Sequence, residues 1–456
     1  MVIWKEIKQP ELEQGLIPVL LSDETMQKRK EEILKRMKQE QIDAILVYAD
    51  MEHGSNFEYL VGFVPRFEEA LLVLHSTGEA YLVLGNENLN KAKKARLQVK
   101  PVHMPHFSLP RQPMNTSKSV SELLKETKID NVNKLGLVGW KYFTSSCEQN
   151  STLFDLPNFL VEAIKQLCTG KIVNATSLFI GENGARLYNN ANEFAHYEFG
   201  AALAGNCILQ AMDKVDEGIS EMEIGQCLDD YGQYHSVVTI MTAGERFIKG
   251  NMYPTDRRIK RGDSISMTTG FKGGLQSRAG FAISSPEELP DSQKDYLDKM
   301  VYPYYKAVTK WLEGVHIGIQ GREIYELIEA CLPKKTYGWS LCPGHLCADE
   351  EWLTSPIYEN STEIITSGML FQIDIIPSRD GYHGISCESG IFLADEKLRH
   401  EIQEEYPQVW KRIERRRQFM KQELGIQINE EVLPTSIATA YCRPFLLHKK
   451  AALTNI

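Results

Sequence analysis

The chain has 456 residues, too many for one ordinary compact domain at roughly 150 residues apiece. Apolar residues make up 43% and charged residues 25%, ordinary globular usage that sets aside disordered, collagen-like and coiled-coil chains. Acidic residues (61) outnumber basic ones (51), a formal charge of -10 that argues against nucleic acid or an anionic membrane as partner, because both need a basic face. In chain order, Ser22-Asp23 caps a predicted helix whose Met26, Ile33, Leu34 and Met37 recur at helical spacing. AILVY at 44–48 reads as a buried strand. ALLVL at 70–74 and YLVL at 81–84, separated by Ser76-Thr77-Gly78, read as a hairpin. LGLV at 135–138 is a further strand, and the polar, Pro-containing stretch 104–119 is a loop.

Composition shifts at GENGARLYNNAN, residues 181–192, and a domain boundary is expected there. Beyond it a helix carries Phe194, Tyr197, Ala201, Ile208 and Met212 on one side. Ser220-Glu221-Met222-Glu223 is a capping box that opens a second helix through Ile224 and Leu228. Strands are predicted at 237–241 and 264–269, a long helix at 293–312 and a shorter one at 322–332. Two strands then flank Asp380-Gly381, and a basic helix at 401–424 leads into an extended tail. There is no internal repeat.

Nine scattered cysteines without CxxC spacing fit reduced thiols better than a disulfide framework. The opening MVIWKEIKQPELEQG has no apolar run behind a basic region, so no signal peptide is expected. No stretch approaches the ~20 apolar residues of a membrane span. A soluble cytoplasmic protein is therefore expected. GxGxxG, GxxxxGK[ST], HExxH and GxSxG are all absent, which removes the common dinucleotide, P-loop, zincin and α/β-hydrolase patterns.

The informative stretch surrounds Gly381. A turn centred there places Asp374 and Glu388, each seven residues away, opposite one another, with Cβ atoms roughly 5 Å apart. Both sit in apolar strands, where a carboxylate is costly unless paired, protonated or metal-bound. The pair suggests a shared proton or a bound cation; a polar strand face meeting water is the plainer alternative. His345, in CPGHLC at 342–347, follows Pro-Gly and so belongs to a turn.

The ordered set GISE at 218–221, RRIKRGD at 257–263, Gly344-His345, Gly368-Met369 before an acid-bearing strand, and a final strand with Glu388 resembles the creatinase/aminopeptidase P/prolidase superfamily. The resemblance implies an α/β creatinase-type N-terminal domain over 1–180, followed by an α+β "pita-bread" catalytic domain over 190–456. Its metallopeptidase members hold two metal ions with two Asp, one His and two Glu. Carried across, the His falls on His345 and the two Glu on Asp374 and Glu388. The first Asp falls on Thr268 and the second on Arg278 or Ala279, so this chain resembles an atypical member lacking the metal-binding Asp pair. Two divalent ions need several anionic oxygens, and a two-metal site is not expected.

Creatinase resembles the chain in lacking that pair and hydrolyses a C–N bond without metal. Its base histidine, however, falls on Asn251 and a substrate-side histidine near Trp352, so His345, Glu388 and Asp374 remain as candidate catalytic groups. Arg278 can bind a substrate carboxylate or pair with Glu388 or Asp374. Cys387 is expected to point into the core, and Cys347 to line the pocket. Asp349-Glu350-Glu351 can attract a cationic substrate or be a solvated face, and His383 is an alternative acid/base. The resemblance also brings Arg66 and Phe67, in GFVPRFE at 62–68, toward a partner subunit's site in a homodimer, or leaves them at an exposed loop tip.

The leading expectation is a metal-independent hydrolase of a C–N bond in a small amide or guanidino compound, with no cofactor. The alternatives are an Xaa-Pro aminopeptidase- or dipeptidase-like enzyme with one metal on His345, Asp374 and Glu388, and an inactive homologue acting as a binding protein.

Overall fold

The computed structural model describes residues 1–248 and 252–456, which form two compact units. Residues 21–187 make one. Residues 1–20 join 188–456 in the other, whereas the expected N-terminal domain began at residue 1. The reason is local to the second unit. Strand β1 (Val2–Glu6) runs antiparallel to the last strand of the chain. Farther on, the buried Glu13 carboxylate takes two 2.8 Å hydrogen bonds from the Arg416 guanidinium, and the Glu13 backbone exchanges two with the Asn206 amide. A buried carboxylate held this way fixes its segment, because pulling it away from the arginine leaves a buried charge without its partner.

In the 21–187 unit, helix α1 (Asp23–Gln39) starts where expected, with the Ser22 hydroxyl accepting from the Thr25 N–H and two acids in the first turn. Six strands follow: β2 (Ala44–Ala49), β3 (Ala70–His75), β4 (Ala80–Leu84), β5 (Lys100–His103), β6 (Lys134–Val138) and β7 (Lys171–Asn174), in the order β5-β4-β3-β2-β6-β7. The hairpin β3–β4 is antiparallel, and β2 pairs parallel with β6. Central β2 is buried along its whole length, which is why it reads as a continuous apolar run rather than an alternating one. Helices α2 (Ser55–Val61), α3 (Val120–Lys125) and α4 (Asn158–Leu167) complete the unit.

In the other unit, α5 (Ala191–Lys214) opens on a capping box, Asn190 with Glu193, and packs along the sheet. The helix predicted from Ser220 is short: α6 (Glu221–Gly225) passes into a 3₁₀ turn over Gln226–Leu228. Strands β8 (Ile240–Ala243), β9 (Ser264–Phe271) and β10 (Gly274–Phe281) are followed by α7 (Tyr302–Gly314), α8 (Gly321–Cys331) and α9 (Lys334–Tyr337). A π-helical turn, Leu297–Val301, replaces the first part of the long helix expected from 293. Strands β11 (His345–Leu346), β12 (Leu370–Ile373) and β13 (Ser386–Leu393) complete the path β11-β12-β13-β10-β9-β8. The basic helix expected at 401–424 is two helices, α10 (Glu396–Glu405) and α11 (Pro407–Gln422). Pro407 disfavours the helical conformation at Tyr406 and has no N–H to continue the ladder. Strands β14 (Val432–Pro434) and β15 (Ala451–Asn455) end the chain. The β9–β10 turn needs glycine: Gly273 has φ +99°, and a Cβ there would lie 2.1 Å from the Tyr197 carbonyl oxygen. Among the described residues no helix is long and apolar enough to cross a membrane.

Candidate active site

Strand register assembles the site. Gln372 pairs with Gly390 and Ile373 with Ser389, and the same register carried one residue further sets Asp374 against Glu388. The connection is longer than a tight turn, because β12 stops at Ile373 and β13 begins at Ser386. His345 enters from β11, opposite Gln372. Gly344, at φ +135°, turns the chain into that strand, where a Cβ would sit 3.2 Å from the Trp311 indole nitrogen. His345, Asp374 and Glu388 each offer a ligand atom within 4.8 Å of the others, and all three are buried.

Electrostatics follow from that dryness. Burial pushes the Asp374 carboxyl up to about 6; the His345 imidazole opposes the rise and the Glu351 charge adds to it. Burial, with the neighbouring Asp374 and Glu351 charges, holds Glu388 well above the usual carboxylate range, against a hydrogen bond from Gln372. Among the described residues, His345 Nε2 and Asp374 Oδ1 have no hydrogen-bond partner.

The opposite wall corrects the residue assignment made from sequence. Ser277, not Arg278 or Ala279, pairs with both Glu388 and Thr268. The Thr268 hydroxyl donates to the Ser277 hydroxyl at 3.0 Å. Thr268, Ser277 and Glu388 thus form one row across β9, β10 and β13, on one face of the sheet. Arg278 pairs with Cys387 on the other face. It is 2% exposed, and its guanidinium donates to the carbonyls of Ser277, Ala438, Tyr441 and Glu388 and to the side chains of Gln276 and Ser389. It therefore neither reaches into the cluster as a ligand anchor nor pairs with a carboxylate there.

The other expected residues distribute as follows. Trp352 stacks on the His345 ring, centroids 4.1 Å apart and planes at 20°. Asn251 lies outside the described residues. Arg66 and Phe67 are exposed in the 21–187 unit, on the loop between α2 and β3; Phe67 has the left-handed φ of +69° that is rare for an aromatic residue. Cys387 is core, as expected. Cys347 does not line an accessible pocket: it is buried against the Gly273 carbonyl, and burial pushes its thiol up, away from nucleophilic use. His383 packs edge-on against Phe281.

Sequence reasoning missed Glu351 as a member of the cluster. Its Oε1 stands 2.9 Å from His345 Nε2. The turn that brings it back is tight, with Leu346 N–H donating to Thr354 O and Leu353 N–H to Leu346 O. Asp349, in the same acidic run, is instead paired with Lys272 at 3.1 Å. Nothing in DEE at 349–351 distinguishes the three acids without that turn.

The residues present do not fit a metal pair. Two hydroxyls stand in the row facing Glu388, and a hydroxyl supplies no negative charge to offset a second ion. One divalent ion fits better, since His345, Asp374 and Glu388 supply one nitrogen and two carboxylates to a common point.

Solved structures share this architecture. A Xaa-Pro dipeptidase from Bacillus anthracis is 18% identical with a TM-score of 0.61, covering 82% of this chain and 96% of its own. The prolidase from Pyrococcus horikoshii OT3 is 17% identical with a TM-score of 0.62, covering 80% and 95%. An X-Pro aminopeptidase from Thermotoga maritima MSB8 is 16% identical with a TM-score of 0.60, covering 80% and 95%. Among curated proteins, none matches the chain in sequence. Residues 29–179 match the creatinase/prolidase N-terminal domain, so the mixed sheet of the first unit and the pita-bread domain after it stand as expected. Residues 195–435, more than half of the chain, match metallopeptidase family M24, and the chain belongs to that family.

Proposed function

We propose that this chain is a creatinase-like, metal-independent hydrolase that cleaves a C–N bond in a small amide or guanidino compound. The observation that carries the reading is the Thr268–Ser277–Glu388 row, with hydroxyls where a metal pair would need carboxylates. Raised carboxyls support it further. A carboxylic acid that keeps its proton near neutral pH can protonate the departing nitrogen, and Asp374 and Glu388 are both held in that direction by burial. His345, buried and within 3.2 Å of the Leu346 carbonyl through Nδ1, presents Nε2 to the same space. Trp352, stacked on it, moves no proton and shapes the wall.

A second reading is favoured by His345 Nε2 and Asp374 Oδ1, which make no hydrogen bond among the described residues. There, His345, Asp374 and Glu388 would hold a single divalent ion, which when bound polarises a carbonyl as a Lewis acid. The Xaa-Pro dipeptides of the neighbours' names belong to this reading. A homodimer is proposed with either, and the mass of the protein in solution tests it.

The discriminating experiment is a hydrolysis panel of guanidino compounds, amidines, simple amides and X-Pro dipeptides, run on the wild type and on Glu388→Gln. Turnover of a non-peptide member, lost in Glu388→Gln, supports the first reading. Turnover confined to X-Pro dipeptides supports the second. No turnover of any member, with ligand binding unchanged in Glu388→Gln, leaves a binding protein.

A further inference from the structure

We propose that Glu351 is the water-activating base of the hydrolysis proposed above, held in place by His345; the inference rests on that reading. A base must touch both the water it deprotonates and the space where the substrate sits. Asp374 and Glu388 are 5% and 8% exposed, walled in by strands. The Glu351 side chain is 22% exposed while His345 beside it is 0%, so Glu351 alone of the three carboxylates spans from the dry cluster to solvent. Only its Oε1 is engaged among the described residues, at 2.9 Å from His345 Nε2 and without hydrogen-bond alignment.

Two further observations point into the same space. Asp374 Oδ1 has no hydrogen-bond partner among the described residues and is deeply buried; such a group is normally satisfied by a ligand or water. The Glu351 backbone is also fixed. The turn at 346–354 closes on two backbone hydrogen bonds, a third joins Ala348 N–H to Glu350 O, and Trp352 stacks against the histidine. The carboxylate is thus held in a set position, which a base needs.

The chemistry balances with water alone. One water proton passes to the Glu351 carboxylate as the oxygen bonds to the amide or guanidino carbon. The C–N bond then breaks, and the leaving nitrogen takes a proton from the Asp374/Glu388 pair. Glu351 returns its proton through solvent to restore that pair.

The test uses the compound that the wild type turns over fastest. Glu351→Gln is expected to lower kcat at least 100-fold with KM within about threefold. Glu351→Asp should recover part of that loss, and added formate should restore at least tenfold of the activity of Glu351→Ala. Thermal unfolding of each variant separates lost folding from lost chemistry. A Glu351→Gln protein within threefold of wild-type kcat, beside an inactive Glu388→Gln, overturns the role of Glu351 and leaves the hydrolase reading standing. A Glu351→Ala protein unmoved by formate while Glu351→Asp is as inactive as Glu351→Gln also overturns it. A wild type that hydrolyses nothing in the panel overturns both.

Discussion

Replacing Asp374 with asparagine removes an ionisable group from the dry cluster and keeps its shape. In the folded protein the Asp374 carboxyl is raised from 3.8 to about 6, chiefly by burial; in the unfolded chain it titrates near 3.9. As pH rises from about 4 to about 6, the unfolded chain releases a proton that the folded one retains. The folded state binds more protons in that window, so stability falls as pH rises through it and is level above it. Two pKa units at about 1.4 kcal/mol each make the loss roughly 3 kcal/mol. Asp374→Asn has no such loss. Its stability should match the wild type within about 1 kcal/mol at pH 4 and exceed it by roughly 2–3 kcal/mol at pH 8. Urea unfolding at both pH values, in buffer with chelator, reads this through tryptophan fluorescence, since Trp311, Trp339 and Trp352 share the unit. A variant less stable than the wild type at pH 8 would refute the reasoning, because it would mean that the folded protein holds this carboxylate ionised against a cation.

Restoring carboxylates to the opposite wall, Thr268→Asp with Ser277→Asp, should raise affinity for Mn²⁺ or Co²⁺ at least tenfold and move the stoichiometry toward two ions, read by calorimetry. Arg278→Lys should destabilise the protein by roughly 2–3 kcal/mol, because a lysine has three donors for six acceptors; KM should stay within about twofold, and a large KM change would return Arg278 to substrate binding. Arg416→Ala takes both guanidinium hydrogen bonds from the buried Glu13 carboxylate, while Glu198 keeps Arg412; it should cost about 3–5 kcal/mol, with residues 1–20 becoming the first site of proteolytic cleavage.

Much of the site was legible because strands have a strict period of two. Seven residues on either side of Gly381 put Asp374 against Glu388, and the register agrees although the turn does not. Thr268 was legible as the place of a missing carboxylate by resemblance, but its partner was not. Choosing Ser277 over Arg278 requires knowing that β9 and β10 meet at the two-residue turn Lys272–Gly273, and a one-residue slip exchanges the two faces. That slip is why Arg278, a core guanidinium, looked like a ligand anchor. Glu351 was hidden for a different reason. Three consecutive acids look alike in sequence, and only the turn from Leu346 to Thr354 selects the one that meets His345. The place of residues 1–20 depends on Glu13 meeting Arg416, some four hundred positions away, and local pattern carries no trace of that contact.

This M24 chain is proposed to hydrolyse its substrate without a metal ion. The most direct test is the metal content of the purified protein, measured beside its hydrolysis rate before and after exhaustive chelation. The purified protein should carry well under one equivalent of transition metal per chain, with a rate unchanged by chelator. Two equivalents per chain, or a rate abolished by chelation and restored by a divalent ion, would contradict it.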